Sequence, residues 1–270
     1  MLKRLQRWRE DRLLARSHLG ERWESAVESW PVAARYQGPE RTRLKDSALR
    51  FLLRKQFVAG ADFELEDSMR LLVATMAVVP VLELGLHWYR GWSSVVIYET
   101  PFVPAGEWED EFGIVHQSDE PLSGEAWPQG PVILSWSDVL EANAEDGYNV
   151  VIHEMAHKLD MLDGDANGAP PLHRSMDPAA WKRSFSTAWD ALEASHEAEA
   201  EDLPIDPYAL EDSGEFFAVT SECFFEAPER LATTWPDVYA QLCAFYRQDP
   251  RRQRHEPQQD ATKSAQSLRD

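Results

Sequence analysis

Residues 150–163 read VVIHEMAHKLDMLD, and the core His153-Glu154-Met155-Ala156-His157 limits what this chain can become more than any other feature. Two histidines four residues apart share one side of the backbone only on a helix, so the segment must be helical for the pair to act together. On that helix both imidazoles can grip one ion. Glu154 lies about 100° round the axis from His153, beside the site rather than on the ligand line. There it can hold a water whose pKa a zinc ion lowers to about 7. With 8 histidines in 270 residues, chance supplies only about 0.02 such matches. Val150, Val151, Ile152, Met155, Ala156 and Leu159 give the helix an apolar setting.

A single zinc ion that keeps one coordination position for water needs a third protein ligand. Asp163 stands where one class of such enzymes takes it, but that arrangement requires the helix to stop sharply after His157. The glycine that usually makes the stop is replaced by Asp160, and Gly164 comes too late. Glu215 and Glu222 are the stronger candidates. They lie two turns apart on one face of a helix in GEFFAVTSECFFE, flanked by Phe216, Phe217, Val219, Phe224 and Phe225. A carboxylate on so apolar a helix needs a cation or a hydrogen-bond donor. One is read as the ligand and the other as holding an imidazole N–H; residue physics leaves the two nearly even. Asp160 falls on the histidine face of its own helix, either to hold an imidazole in the same way or as a solvated acid.

The rest of the chain bounds the setting. A formal net charge of −20 disfavours nucleic acid as a direct partner, because phosphate binding needs clustered Lys and Arg. Between Glu107 and Glu229 the only basic residues are Lys158, Arg174, Lys182 and Arg183. Two cysteines, Cys223 and Cys243, exclude a disulfide framework and suggest reduced thiols in the cytoplasm. No apolar secretory stretch stands among the first thirty residues. The run from Leu71 to Leu86 is broken by Pro80 and Glu83 and falls short of the ~20 residues that span a bilayer, so it is read as core.

Helical periodicity is expected from Leu2 to Lys55, over 66–79, from Gly147 through Leu162, and over 178–198, 213–227 and 235–247. Ser94 to Thr100 and Pro131 to Trp136 are read as strands, the second as an edge along which an extended peptide could align. Together these predict an α+β fold with a small mixed sheet. Residues 1–65 form a helical layer packed on a catalytic domain at 66–248, and 249–270 form an unstructured tail.

The run GIVHQSDEPLSGEAWPQGPVILSW, then NVVIHEMAHKLD, then DPYAL and GEFFAVTSECFF, closely resembles the Mlc titration factor A family of bacterial zinc peptidases. The resemblance runs from about Leu49 to Pro250, thin over the N-terminal helices and absent from the tail. It implies a zincin-like fold and a metallopeptidase with aminopeptidase-like activity. One Zn2+ would be held by His153, His157 and Glu215, with Glu154 catalytic. A further metal site in the family maps to His116; a fourth protein ligand would displace the water, so His116 is expected to cap a resting state. The site also resembles that of anthrax lethal factor, in which a tyrosine precedes the ligand glutamate by seven residues. Tyr208 stands at that spacing before Glu215 and would donate its phenol to the oxyanion. Besides a peptide or protein substrate, the resemblance implies a second role: binding the repressor Mlc and relieving its control of sugar phosphotransferase genes. In the rival reading this anti-repressor binding is the main function.

Overall fold

The computed structural model describes residues 2–101, 108–109, 115–116, 123–127, 129–142 and 147–255, with side chains over 4–101, 123–127, 129–142 and 147–252. The chain opens with α1 (Leu2–Leu14), α2 (Leu19–Val27) and α3 (Gly38–Arg54), then β1 (Gln56–Ala59) and α4 (Asp67–Val78). There follow β2 (Ser94–Tyr98), β3 (Trp108–Glu109), β4 (Val115–His116), β5 (Gly124–Ala126), β6 (Val132–Ser135) and α5 (Trp136–Glu141). Helices complete it: α6 (Val150–Asp160), α7 (Pro178–Glu197), α8 (Ser213–Glu226), α9 (Pro228–Thr234), α10 (Pro236–Tyr246) and α11 (Pro250–His255). Pro178, Pro228 and Pro236 each sit in the first turn of a helix, where a missing N–H leaves no bond unmade.

The main sheet has the order β1-β2-β6-β5, parallel except for the antiparallel β5–β6 pair. This is the α+β arrangement with a small mixed sheet. One expectation is corrected: β6 is hydrogen-bonded on both sides, by β2 and β5, so it cannot be the edge that takes an added strand. Among the described strands the edges of this sheet are β1 and β5, and β5, next to β6, is a Gly-Glu-Ala segment with none of the β-branched residues that mark strands in sequence.

α6 lies between sheet and helices, against β5 and β6 on one side and α8 on the other. α8 is buried almost all round, from Phe216 to Glu226, as expected of a helix at the centre of a core rather than at its surface. α4, buried continuously from Leu71 to Val78, packs on α2, α3 and α6 and carries the N-terminal layer. No helix among the described residues is long and apolar enough to cross a membrane. Past α10 the chain does not turn at once into an unstructured tail. Tyr239 Oη donates to Asp249 at 2.8 Å and Arg251 pairs with Glu229 at 2.8 Å, holding the start of α11.

A buried lysine ties the edge strand to α6. Lys158 Nζ donates to the carbonyls of Trp127 and, at 3.1 Å, Gly130, across the turn that joins β5 to β6. It also lies 5.0 Å from the centre of the Trp92 ring, which Lys55 approaches at 3.4 Å. Burial pushes the Lys158 ammonium down to about 8. Lys158→Met keeps the stem's packing but takes the Lys158 donor from the Gly130 carbonyl and leaves the Trp127 carbonyl with only the Gly130 N–H, at 3.2 Å. Urea unfolding should show a loss of about 2 kcal/mol; an unchanged midpoint would mean that the turn holds itself.

Candidate metal centre

Two helix starts set the site. Asn149 caps α6, its side-chain oxygen accepting from Ile152 N at 3.0 Å. Asp212 caps α8 by accepting from the backbone N–H of Gly214 at 2.7 Å and of Glu215 at 2.9 Å, so the first turn, which carries Glu215, is held. The two helices pack against each other and bring His153, His157 and Glu215 together, each offering a ligand atom within 4.8 Å of the others. His153 Nε2 is 3.0 Å from Glu215 Oε2, and His157 Nε2 is 3.3 Å from Oε1 and 3.1 Å from His153 Nε2.

Glu222 reaches the other face of the same imidazole. Its Oε1 accepts from His153 Nδ1 at 2.8 Å, and its Oε2 accepts from the backbone N–H of Asn149 at 2.5 Å. Since a carboxylate only accepts, Nδ1 carries a proton, and once a cation displaces the proton on Nε2 the ring presents that lone pair to the site. One turn further on, Glu226 accepts from the Asn149 amide at 2.6 Å and from the Trp30 indole N–H at 2.8 Å. Arg35 of the N-terminal layer donates to the carbonyls of Phe225 and, at 2.8 Å, Glu226.

This donor set fits a zinc ion. Lone pairs of two imidazoles and a carboxylate converge, and Glu215 Oε2 is buried without a hydrogen-bond partner among the described residues despite a nitrogen at 3.0 Å. Such atoms repel one another unless a proton or a metal cation lies between them. Tetrahedral ligands about 2.0–2.1 Å from zinc stand roughly 3.3 Å apart, close to the 3.0, 3.1 and 3.3 Å separations here.

Glu154 is buried beside the pair, its Oε2 without a partner among the described residues. Gly124 of β5 lies directly against it: a Cβ there would fall 2.3 Å from Oε1. The strand can approach this carboxylate only because the position has no side chain. Burial pushes the Glu154 carboxyl up to about 7, against the opposing pull of His153 and His157. Burial alone would lower the His153 value, but the Glu222 and Glu215 carboxylates overcome it and hold it well above the ordinary range. Glu215 is driven the other way: burial is outweighed by the two imidazoles, which keep it strongly acidic.

The remaining candidates are placed as follows. Tyr208, in a 3-10 turn at Pro207–Leu210, is 44% exposed, and its ring centre lies 6.2 Å from that of His153. Burial, with Glu215 nearby, raises its phenol above the usual value, so it keeps its proton. Asp160 is fully buried but bonds neither imidazole; its Oδ2 accepts from the N–H of Asn167 and Gly168 at 2.8 and 2.7 Å, folding the following loop back on α6. Asp163 is exposed and outside the group. The backbone of His116 pairs with Trp108 across β3 and β4, while its side chain lies outside the described residues. Sequence reasoning overlooked Gly124, Asn149 and Lys158. The Asn149 cap just ahead of an apolar helix was a readable signal; the other two depend on long-range pairing.

The profile of the glucose-regulated metallo-peptidase M90 family matches residues 5–247, and so includes the N-terminal helices where the motif resemblance is thin. Proteins named Mlc titration factor A from Escherichia fergusonii and Salmonella agona (strain SL483) are each 40% identical over 229 residues, covering 84% of this chain and 86% of theirs. The protein of that name from Klebsiella pneumoniae subsp. pneumoniae is 40% identical over 235 residues, 87% of this chain and 88% of its own.

Protonation of Glu154 gives a test of the site's burial. The ordinary carboxyl value is 4.5 and the folded one about 7. The folded state therefore keeps a proton that the unfolded chain releases, and this contribution is complete below pH 4.5 and lost as the pH rises to about 7. After zinc removal by chelation, Glu154→Gln should become more stable than the parent across that window, by roughly 3 kcal/mol at its upper end. Superimposable stability–pH curves would show that the carboxyl is solvated.

Proposed function

Because the chain belongs to the glucose-regulated metallo-peptidase M90 family, we propose that it is a zinc peptidase whose ion is held by His153, His157 and Glu215. The observation that carries this reading is the convergence of those three side chains, from two helices, with Glu154 beside them. Zinc supplies Lewis acidity toward a water and the peptide carbonyl. Glu154 takes the water's proton and passes it to the leaving amine. Its freedom from hydrogen-bond partners among the described residues supports that role, since nothing competes for its Oε2. Glu222 holds His153 with Nε2 toward the ion, and Tyr208 donates its phenol proton to the oxyanion as the carbonyl becomes tetrahedral. An extended substrate lies along β5, whose Gly124 gives its backbone access to Glu154. Release of N-terminal residues is the proposed mode; unblocked peptides should be cleaved and N-acetylated ones spared.

Glu154→Gln should keep stoichiometric zinc in elemental analysis while hydrolysis disappears, and turnover surviving in that variant would remove Glu154 as the base. In the same assay His116→Ala should preserve or raise turnover, as expected if His116 caps a resting state. Joint loss of zinc and activity would make it an essential ligand instead.

A second role is favoured by the name of the relatives, which describes titration of Mlc. We extend this to the present chain as binding to that repressor. Immobilised Glu154→Gln protein should capture purified Mlc with or without chelator if binding is separate from hydrolysis. Failure of both parent and variant to retain Mlc would leave peptide hydrolysis as the sole proposed role.

A further inference from the structure

Away from the metal centre, a cavity of about 630 Å3 opens between the 3-10 turn at Leu86–Tyr89, the loop at 171–175 and the end of α10. Its walls include Arg90, Arg174, Arg247, His87 and His173, and no Asp or Glu. That composition runs against the rest of the molecule, which has 47 acidic residues to 27 basic ones. Arg50, Arg54, Arg41 and Arg251 each find a carboxylate. Arg90, Arg174 and Arg247 pair with none among the described residues, and all three are exposed. Three guanidinium side chains from separate parts of the chain line this one cavity, and an anion bound there would be attracted by all three.

The framework around these charges is built rather than loose. Gly85, at φ +88°, makes the turn that presents His87 and Trp88. His173 Nε2 donates to the Phe245 carbonyl at 2.8 Å, and the ring stacks on Phe245 and meets Trp88 edge-on at 5.5 Å. Arg247 ends α10 in the left-handed region at φ 56°, where glycine is the usual residue and a side chain is strained. Trp88, Leu162 and Leu172 add an apolar wall beside the cations.

We propose that this cavity binds a small phosphate-bearing molecule, its phosphate held by Arg90, Arg174 and Arg247 and its body resting on Trp88. Guanidinium forks match phosphate oxygens in pairs, and a dianion answers several of them at once. None of the metal-centre residues lines the cavity, so binding here does not depend on the peptidase reading.

The test is calorimetric titration of the full-length protein with inorganic phosphate, phenyl phosphate and benzenesulfonate at matched ionic strength. Saturable binding of phenyl phosphate is expected, tighter than inorganic phosphate if the apolar wall contributes, with the monoanionic sulfonate weakest. Arg174→Gln should weaken binding by about tenfold or more. Arg247→Gly should do the same while keeping or raising the melting temperature of the ligand-free protein, which separates lost binding from lost folding. Absence of saturable heat from either phosphate, or equal affinity in both variants and the parent, would overturn the proposal.

Discussion

Glu222 is buried, and its charge has to be met by donors from the protein itself. Both come from the start of α6: the backbone N–H of Asn149 and the Nδ1–H of His153. That requirement fixes α8 along α6, since sliding one helix past the other would strand the carboxylate. With the helices so fixed, Glu215, two turns nearer the start of α8, meets the opposite edge of the same imidazole. One apolar helix thus supplies a group that faces the candidate ion and a group that aims its neighbour's ring. The Asp212 cap keeps the first of these from fraying, and the aromatic packing around Phe216, Phe217, Phe224 and Phe225 keeps the second dry.

The electrostatics follow from that arrangement. Glu154, Glu215 and Glu222 gather round two imidazoles, more negative charge than a buried region tolerates unaided. The protein answers by holding protons: burial raises Glu154, and neighbouring carboxylates raise His153. A divalent cation would take over that neutralising role, so its capture should be accompanied by proton release.

The sequence carries part of this openly. His153, Glu154 and His157 were legible because a four-residue interval has one meaning on a helix. Residue physics alone could not tell Glu215 from Glu222, because seven residues bring a helix back to the same face and both acids meet the same apolar surroundings; only the family resemblance favoured Glu215. Only the packing of α8 on α6 shows that Glu215 meets both Nε2 atoms and Glu222 meets Nδ1. β6 was readable as a strand but not as a central one, since pairing partners are not encoded locally. The stretch between Thr100 and Pro131 reads only as loops and short strands, and β5 gets no bounds there because a glycine, a glutamate and an alanine make a weak strand; it exists through pairing with β6 and the Lys158 anchor at its turn. Asp160 shared the histidine face as periodicity required, yet the N–H groups of the returning loop claimed its Oδ2.

The bond from the Trp30 indole to Glu226 spans 196 residues of chain and is closed to solvent at both ends. Neither partner can drift alone during evolution: a lineage that loses the indole leaves an acid short of a donor beside the metal helix, and one that loses the acid leaves a buried N–H. Substitutions at the two positions should therefore arise together. Recombination that exchanges the first helices between distant homologues should succeed only when the far end of α8 travels with them.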